Sequence, residues 1–235
     1  WQYANEFMLP RFMVINKIDK EHADFTHALE TAADSFARSI VPFTLPIGRE
    51  GSFRGVIDVV HQKAYEFDAD GKAKPIGIPG EEKALLDSTR ERLIEIVAES
   101  DDALMEKYFE SGTLPEEDII PNLARAIASS KLCPVYAISA TTLVGIQILL
   151  DHLVEFAPNP ATHEMEYGFK DNEMTGDRIN RKYNNDEPFS AYVFRTIADP
   201  FAGRINVMKV VSGKISSDAT VQNTTRDVPE RLGAL

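Results

Sequence analysis

Arg11-Phe12-Met13-Val14-Ile15-Asn16-Lys17-Ile18-Asp19 is a short, nearly continuous apolar run that breaks at once into polar residues. Such a run suits a buried strand of a parallel sheet, which needs apolar side chains on both faces. Asn16 to Asp19 then read as a loop. Beyond it Phe25, Ala28, Leu29, Ala32 and Phe36 recur every three to four residues, the spacing of an amphipathic helix, with Asp24 placed to cap it. Strand, polar loop and helix in that order make the βα unit of a doubly wound α/β fold. The pattern recurs later. Cys133 to Ile138 is a second short apolar strand, and Ser139-Ala140-Thr141-Thr142 a second loop. Leu143, Ile146, Leu149, Leu150, Leu153 and Val154 then repeat at helical spacing up to Phe156, where Pro158 and Pro160 end the helix.

Between these units the signal changes. Ile40 to Ile47 carries Pro42 and Pro46 and reads as one edge strand. Gly55 to Val60 and Lys63 to Phe67 are strand-like, and Asp70-Gly71 is a hairpin signal. A helix is expected from Gly80 to about Ser100, with Leu86, Leu93 and Val97 on one face. Shorter helices are expected over Asp101 to Phe109 and Pro115 to Ser129. The organisation expected is an α/β domain over 1–157 with a mixed α+β insert at about 40–130. A polar linker at 158–186 and the start of an antiparallel β-barrel at 187–235 follow. The first residues read as the tail of a helix and the last stop just after strands begin, so a fragment of a longer chain is expected.

Lys+Arg total 25 and Asp+Glu 37 in 235 residues, a net charge of −12. Between Glu81 and Ala128 there are 13 acidic and 5 basic residues, so two thirds of the imbalance sits in one fifth of the chain. That field repels phosphate backbones and attracts basic partners, or else is a solubilising helix face. No apolar run approaches the roughly 20 residues that span a bilayer. The opening residues are neither basic nor apolar, so no signal peptide is read there. Cys133 is the single cysteine, which excludes an internal disulfide and fits a reduced, cytoplasmic setting. His22, His27, His61, His152 and His163 show no metal-ligand spacing beside it, so no structural zinc site is expected and no metal ligand is assigned.

Asn16-Lys17-Ile18-Asp19 matches the Asn-Lys-x-Asp sequence of GTP-binding proteins. Three fixed positions arise by chance in a chain this long about 3% of the time. Position sharpens the signal, because the motif ends a strand where doubly wound sheets bind ligands. Guanine presents N1–H and N2–H₂ side by side, and the Asp19 carboxylate can accept from both. Adenine offers a lone pair there, and buried hydrogen-bonding sites reject such analogues by about 10⁴ or more. Asn16 would offer its amide to the N7 edge and tie the two loops together. Lys17 would lay its stem along the ring. At the second loop, Ser139-Ala140 is similar to the Ser-Ala arrangement that completes the guanine pocket in those proteins, where the Ala140 N–H would donate to guanine O6.

At this point the chain resembles elongation factor G, the translational GTPase family. Pro10 to Lys20 is similar to its fourth guanine-binding motif, followed by Ala23-Asp24-Phe25. Leu45-Pro46-Ile47-Gly48 and Phe53 to Val59 resemble the start of the family's insert, which Leu93 to Glu99 and Leu104 to Phe109 continue. Pro134-Val135, Ser139-Ala140, Gly145-Ile146-Gln147 and Leu149-Leu150-Asp151 resemble the fifth motif and its helix. Phe189 to Phe194, Asp199 to Arg204 and Ser212-Gly213 resemble the start of the second domain. Ile138 stands where the family usually has Gly, and Thr141-Thr142-Leu143-Val144 replaces a Lys- and Asn-containing stretch, which suggests a paralogue.

The resemblance implies a ribosome-dependent GTPase, monomeric and cytoplasmic, that couples GTP hydrolysis to translocation of tRNA and mRNA or to ribosome recycling. Its partners would be GTP or GDP and the ribosome, both rRNA and ribosomal proteins. A basic stalk-protein domain would meet the acidic insert at 81–128, and no membrane is involved. The sequence contains no G-x-x-x-x-G-K-[ST] phosphate loop. Mg²⁺ is therefore expected only with a preceding N-terminal segment, no catalytic residue is assigned, and this chain alone is expected to be inactive. A ribosomal protection or release factor 3-like GTPase is the alternative within the class. A non-catalytic acidic adaptor on a degenerate GTPase fold is the alternative outside it.

Overall fold

The computed structural model describes residues 1–36, 39–159, 165–169, 176–201 and 203–235. The chain divides into two compact units, Trp1–Pro158 and Asn159–Leu235. The first unit begins with α1 (Gln2–Glu6), β1 (Met13–Ile15), α2 (Phe25–Ser35), β2 (Ile40–Pro42) and β3 (Thr44–Ile47). It continues through β4 (Gly55–Asp58), β5 (Lys63–Phe67) and β6 (Ala73–Ile76) to three helices, α3 (Lys83–Ala98), α4 (Asp102–Ser111) and α5 (Glu116–Ala128). It closes with β7 (Cys133–Ala137) and α6 (Ile146–Phe156). The second unit holds β8 (Met165–Phe169), β9 (Arg178–Lys182), β10 (Ser190–Asp199), β11 (Gly203–Ser212), β12 (Thr220–Asn223) and β13 (Val228–Arg231). The fold is mixed α/β, with several separate sheets.

Strand β7 lies between β1 and β2 in a parallel sheet, Met13 opposite Val135 and Ile40 opposite Cys133. All five of its residues are buried, as a central strand covered on both faces requires. The Asp24 carboxylate accepts from the His27 N–H at 2.9 Å, capping α2 as its position suggested.

The single edge strand expected over Ile40 to Ile47 is two strands. Ile40–Pro42 belongs to the parallel sheet, and Thr44–Ile47 is the edge of an antiparallel sheet in the order β3-β4-β5-β6. Each proline sits on an edge, where a missing N–H is tolerated, but on the edges of different sheets. Phe43 is the joint. Its N–H donates to Val135 O at 2.8 Å, and its carbonyl accepts from the Val59 N–H at 2.9 Å. Its ring is fully buried against Tyr136, His152 and Phe156. The next residue, Thr44, accepts from the Ala137 N–H through Oγ1 at 2.8 Å, which holds the second sheet against the end of the first.

Helices α3, α4 and α5 bury Leu86, Leu93, Val97, Leu104, Ile119, Leu123 and Ile127 and leave their acidic residues outward. On α6 the buried face differs from the leucine stripe expected from spacing. Ile148, His152 and Phe156 are buried, while Leu150 and Val154 are exposed. The stripe of leucines is wider than the face that packs, and a histidine occupies the middle of that face.

In the second unit β10 pairs with β11 and β12 with β13, both antiparallel. These strands were expected to open a barrel, but no barrel closes among the described residues. The stretch 158–186, expected to be a linker, includes an antiparallel pair, Met165 opposite Lys182 and Phe169 opposite Arg178. Backbone pairing needs no apolar side chains, so polar composition concealed it. Residues 160–164 and 170–175 of that stretch, Pro160 among them, lie outside the described residues, as does Ala202 of the expected turn.

Replacing Phe43 by Ala removes the ring at the joint of the two sheets. A buried Phe→Ala change costs about 3–5 kcal/mol. The denaturation midpoint of the first unit, followed by the fluorescence of the single tryptophan, Trp1, should fall accordingly.

Candidate functional site

Asn16, Lys17 and Asp19 leave the C-terminal end of β1, and Ser139 and Ala140 leave that of β7. Because these strands are adjacent and parallel, loops 124 residues apart at Asn16 and Ala140 become neighbours. The ladder continues past both strands, with Ile138 N–H donating to Ile15 O at 3.1 Å. Ile18 is buried and anchors the first loop. Lys17 adopts a left-handed backbone, φ 68°, and its N–H donates to Asn16 Oδ1 at 2.7 Å. Non-glycine residues in that conformation cluster at functional loops.

Asn16 Oδ1 also accepts from the Ala140 N–H, at 3.0 Å. The bridge between the loops expected of Asn16 is present. The donor expected to face a guanine oxygen is, however, engaged by Asn16. With Oδ1 taken, the amide nitrogen of Asn16 remains as its donor.

Ser139 is fully buried, and its Oγ accepts from the Thr142 N–H at 3.2 Å. Gly145 follows with φ 80°, and an added Cβ would lie 2.5 Å from Ala137 O. A glycine is therefore required where the second loop turns into α6.

The Asp19 side chain is only 9% exposed. Lys20 Nζ meets Oδ2 at 2.7 Å, and that bond, helped by the Ser139 side chain, holds the carboxyl below the usual carboxylate range. Oδ1 is buried with no hydrogen-bond partner. Asp19 thus offers one unpaired acceptor, and a second one shared with Lys20. Cys133 is buried in β7, where burial pushes its thiol up to about 11 and disfavours the thiolate.

A second cluster lies where the antiparallel sheet meets α6. Asp58 Oδ2 stands 2.8 Å from His61 Nδ1 and 3.2 Å from His152 Nε2. Asp58 Oδ1 accepts from the Val60 and His61 N–H groups at 2.9 and 3.0 Å. His61 Nε2 lies 3.3 Å from Glu155 Oε1. Burial opposes the Asp58 charge, but hydrogen bonds from His152 and His61 outweigh it and hold the carboxyl far below its ordinary value. The His61 imidazole is raised, chiefly by its hydrogen bond to Asp58 and against desolvation. Sequence spacing did not reveal this group because Asp58 and His152 are 94 residues apart. The available signal was a histidine on the apolar face of α6.

No family model matches the chain. The crystal structure of a protein from Thermus thermophilus is similar to it, with a TM-score of 0.78 and 28% sequence identity over 99% of this chain. The match takes in 31% of that protein, so this chain spans about a third of its length. The likeness is one of mixed α/β fold. Among the described residues no helix is long and apolar enough to cross a membrane.

Linkage at the second cluster has a definite sign. His61 is raised when folded, so its contribution is complete below its ordinary value of 6.5 and lost as pH rises through the folded value. Asp58 is lowered, so its contribution is complete above 3.8 and lost as pH falls toward the folded value. In metal-free buffer, the urea midpoint reported by Trp1 should therefore decline as pH rises above about 6.5. His61→Gln should flatten that decline.

Proposed function

We propose that this chain is the base-reading part of a ribosome-dependent translational GTPase of the elongation factor G type. One observation carries the reading. The Asn16–Asp19 and Ser139–Ala140 loops meet at adjacent parallel strand ends, joined by Asn16 Oδ1 and the Ala140 N–H at 3.0 Å, with Asp19 Oδ1 buried and unpaired beside them. C-terminal strand ends are where open α/β sheets hold ligands. An unpaired carboxylate oxygen suits a ligand with a donor edge, and guanine has one.

The residues divide the work. Asp19 accepts from the base, which discriminates against adenine. Asn16 fixes the distance between the loops and supplies an amide donor. Lys17, exposed and left-handed, covers the ring with its stem. Ser139 holds its own loop through Thr142. Ala140 presents its N–H to guanine O6 only if that group is released from, or shared with, Asn16. Lys20 is a competitor for Asp19, and its ammonium must share Oδ2 with the base. Phosphate and Mg²⁺ contacts, and with them hydrolysis, belong to a segment carrying a phosphate loop, which these 235 residues do not contain. In the whole protein, GTP hydrolysis would drive its cycle on the ribosome. The exposed acid residues of α3 to α5, such as Glu91, Glu95, Glu106 and Glu117, would face a basic ribosomal protein there.

Asp19→Asn in the full-length protein should weaken GDP binding at least about a hundredfold and shift preference toward xanthine nucleotides, whose O2 accepts from the new amide. Fluorescent-nucleotide titration with GDP, XDP and ADP reads this. Retained guanine preference would sink the pocket assignment.

Hydrolysis by the full-length protein should be specific for GTP over ATP and stimulated by ribosomes, measured as released phosphate. GTP binding without ribosome stimulation would exclude the translational reading.

A further inference from the structure

The cluster of Asp58, His61 and His152 has no part in reading a nucleotide. Asp58 ends β4, His61 lies in the turn after it, and His152 is in α6. We propose that Asp58 Oδ2, His61 Nδ1 and His152 Nε2 form a zinc-binding site that pins the antiparallel sheet to α6.

Convergence is the first argument. The three ligand atoms come from separate parts of the chain and lie within 4.8 Å of one another. Ligands at the usual zinc distances around a tetrahedral ion stand about 3.3–3.4 Å apart. The separations of Oδ2 from the two nitrogens, 2.8 and 3.2 Å, are already near that scale. Drawing the two nitrogens in takes a shift of about 1.5 Å at most, measured against that same geometry. His61 is in a turn and 30% exposed, so its ring has room to make the movement.

Charge is the second argument. The Asp58 carboxylate is 4% exposed, and Glu155 adds a second carboxylate at the far side of His61. With both imidazoles neutral, the buried Asp58 charge stands unbalanced, which is costly. One divalent cation held by neutral imidazoles balances both carboxylates.

The surroundings supply the third. Glu155 braces the outer nitrogen of His61, the carboxylate–histidine arrangement typical around bound zinc. His152 is 2% exposed, yet its Nδ1 has no hydrogen-bond partner, and neither has the buried Tyr136 hydroxyl in the neighbouring ring. His152 thus lacks the outer-nitrogen partner that Glu155 gives His61. Two imidazoles and one carboxylate form a borderline donor set that suits zinc, whereas Mg²⁺ and Ca²⁺ take oxygen. Three protein ligands leave a fourth position for water, reached from the exposed side of His61.

The test is zinc titration of the chelator-treated chain by calorimetry, with Mg²⁺ as control and the visible spectrum of Co²⁺ as a report of coordination. Expected are one zinc per chain, a tetrahedral Co²⁺ spectrum, a higher melting temperature with zinc and no uptake of Mg²⁺. His61→Gln, partly exposed and so compatible with an intact core, should weaken zinc binding at least tenfold and abolish the thermal shift. His152→Gln should do the same, with circular dichroism showing that both variants fold. No saturable zinc uptake, equal uptake of Mg²⁺, or uptake unchanged in folded His61→Gln would each overturn the site and leave a hydrogen-bonded clamp only.

Discussion

Pairing of β7 between β1 and β2 is the constraint on which the first unit rests. β7 arrives last among the strands of that unit, yet it takes the central place, with all five side chains buried. Every backbone group of such a strand must find a partner, because water cannot reach it. The ladder therefore runs on beyond the strand ends, through Ile138 to Ile15 and weakly from Ile18 to Ile138. That continuation sets the two loops side by side. A long closure costs entropy that grows only slowly with length, so a large insert between β1 and β7 is tolerated if its side chains join the same core.

The insert does so through the joint at Phe43. One strand direction serves two sheets, with a single fully buried aromatic residue exchanging hydrogen bonds with both. The antiparallel sheet delivers Asp58 to the flank of α6, where His152 waits in the middle of the buried face. A buried carboxylate needs its charge answered, and the answer comes from two histidines brought in from different directions. Packing and electrostatics thus meet at the same aromatic box of Phe43, Tyr136, His152 and Phe156.

Charge elsewhere is arranged more simply. The helices of the insert bury an aliphatic core and face solvent with carboxylates, and few cations answer them locally. Lys107 pairs with Asp118 at 2.8 Å and Arg90 lies 3.5 Å from Glu116. Lys107 and Glu116 are exposed, and pairs that keep a partner in solvent contribute little stability. The net field of the face governs what approaches it, attracting basic surfaces and repelling nucleic-acid backbones.

The pairing of Asn16–Asp19 with Ser139–Ala140 as candidate loops came from the resemblance to GTP-binding proteins, whereas periodicity and turn chemistry alone determined the two βα units, the cap at Asp24, the helical insert and the acidic face. These are local properties, written in hydrophobic period and turn chemistry within a few residues. Tertiary structure decided the rest. It split Ile40–Ile47 between two sheets, because Phe43 answers to strands far away in sequence. It turned α6 so that His152 lies inward while Leu150 and Val154 face out, and it occupied the Ala140 N–H with Asn16. It paired β8 with β9 in a stretch whose composition is that of a linker. Above all it gathered Asp58, His61 and His152. No spacing rule reaches across 94 residues, since only the folded chain fixes which side chains share one point in space.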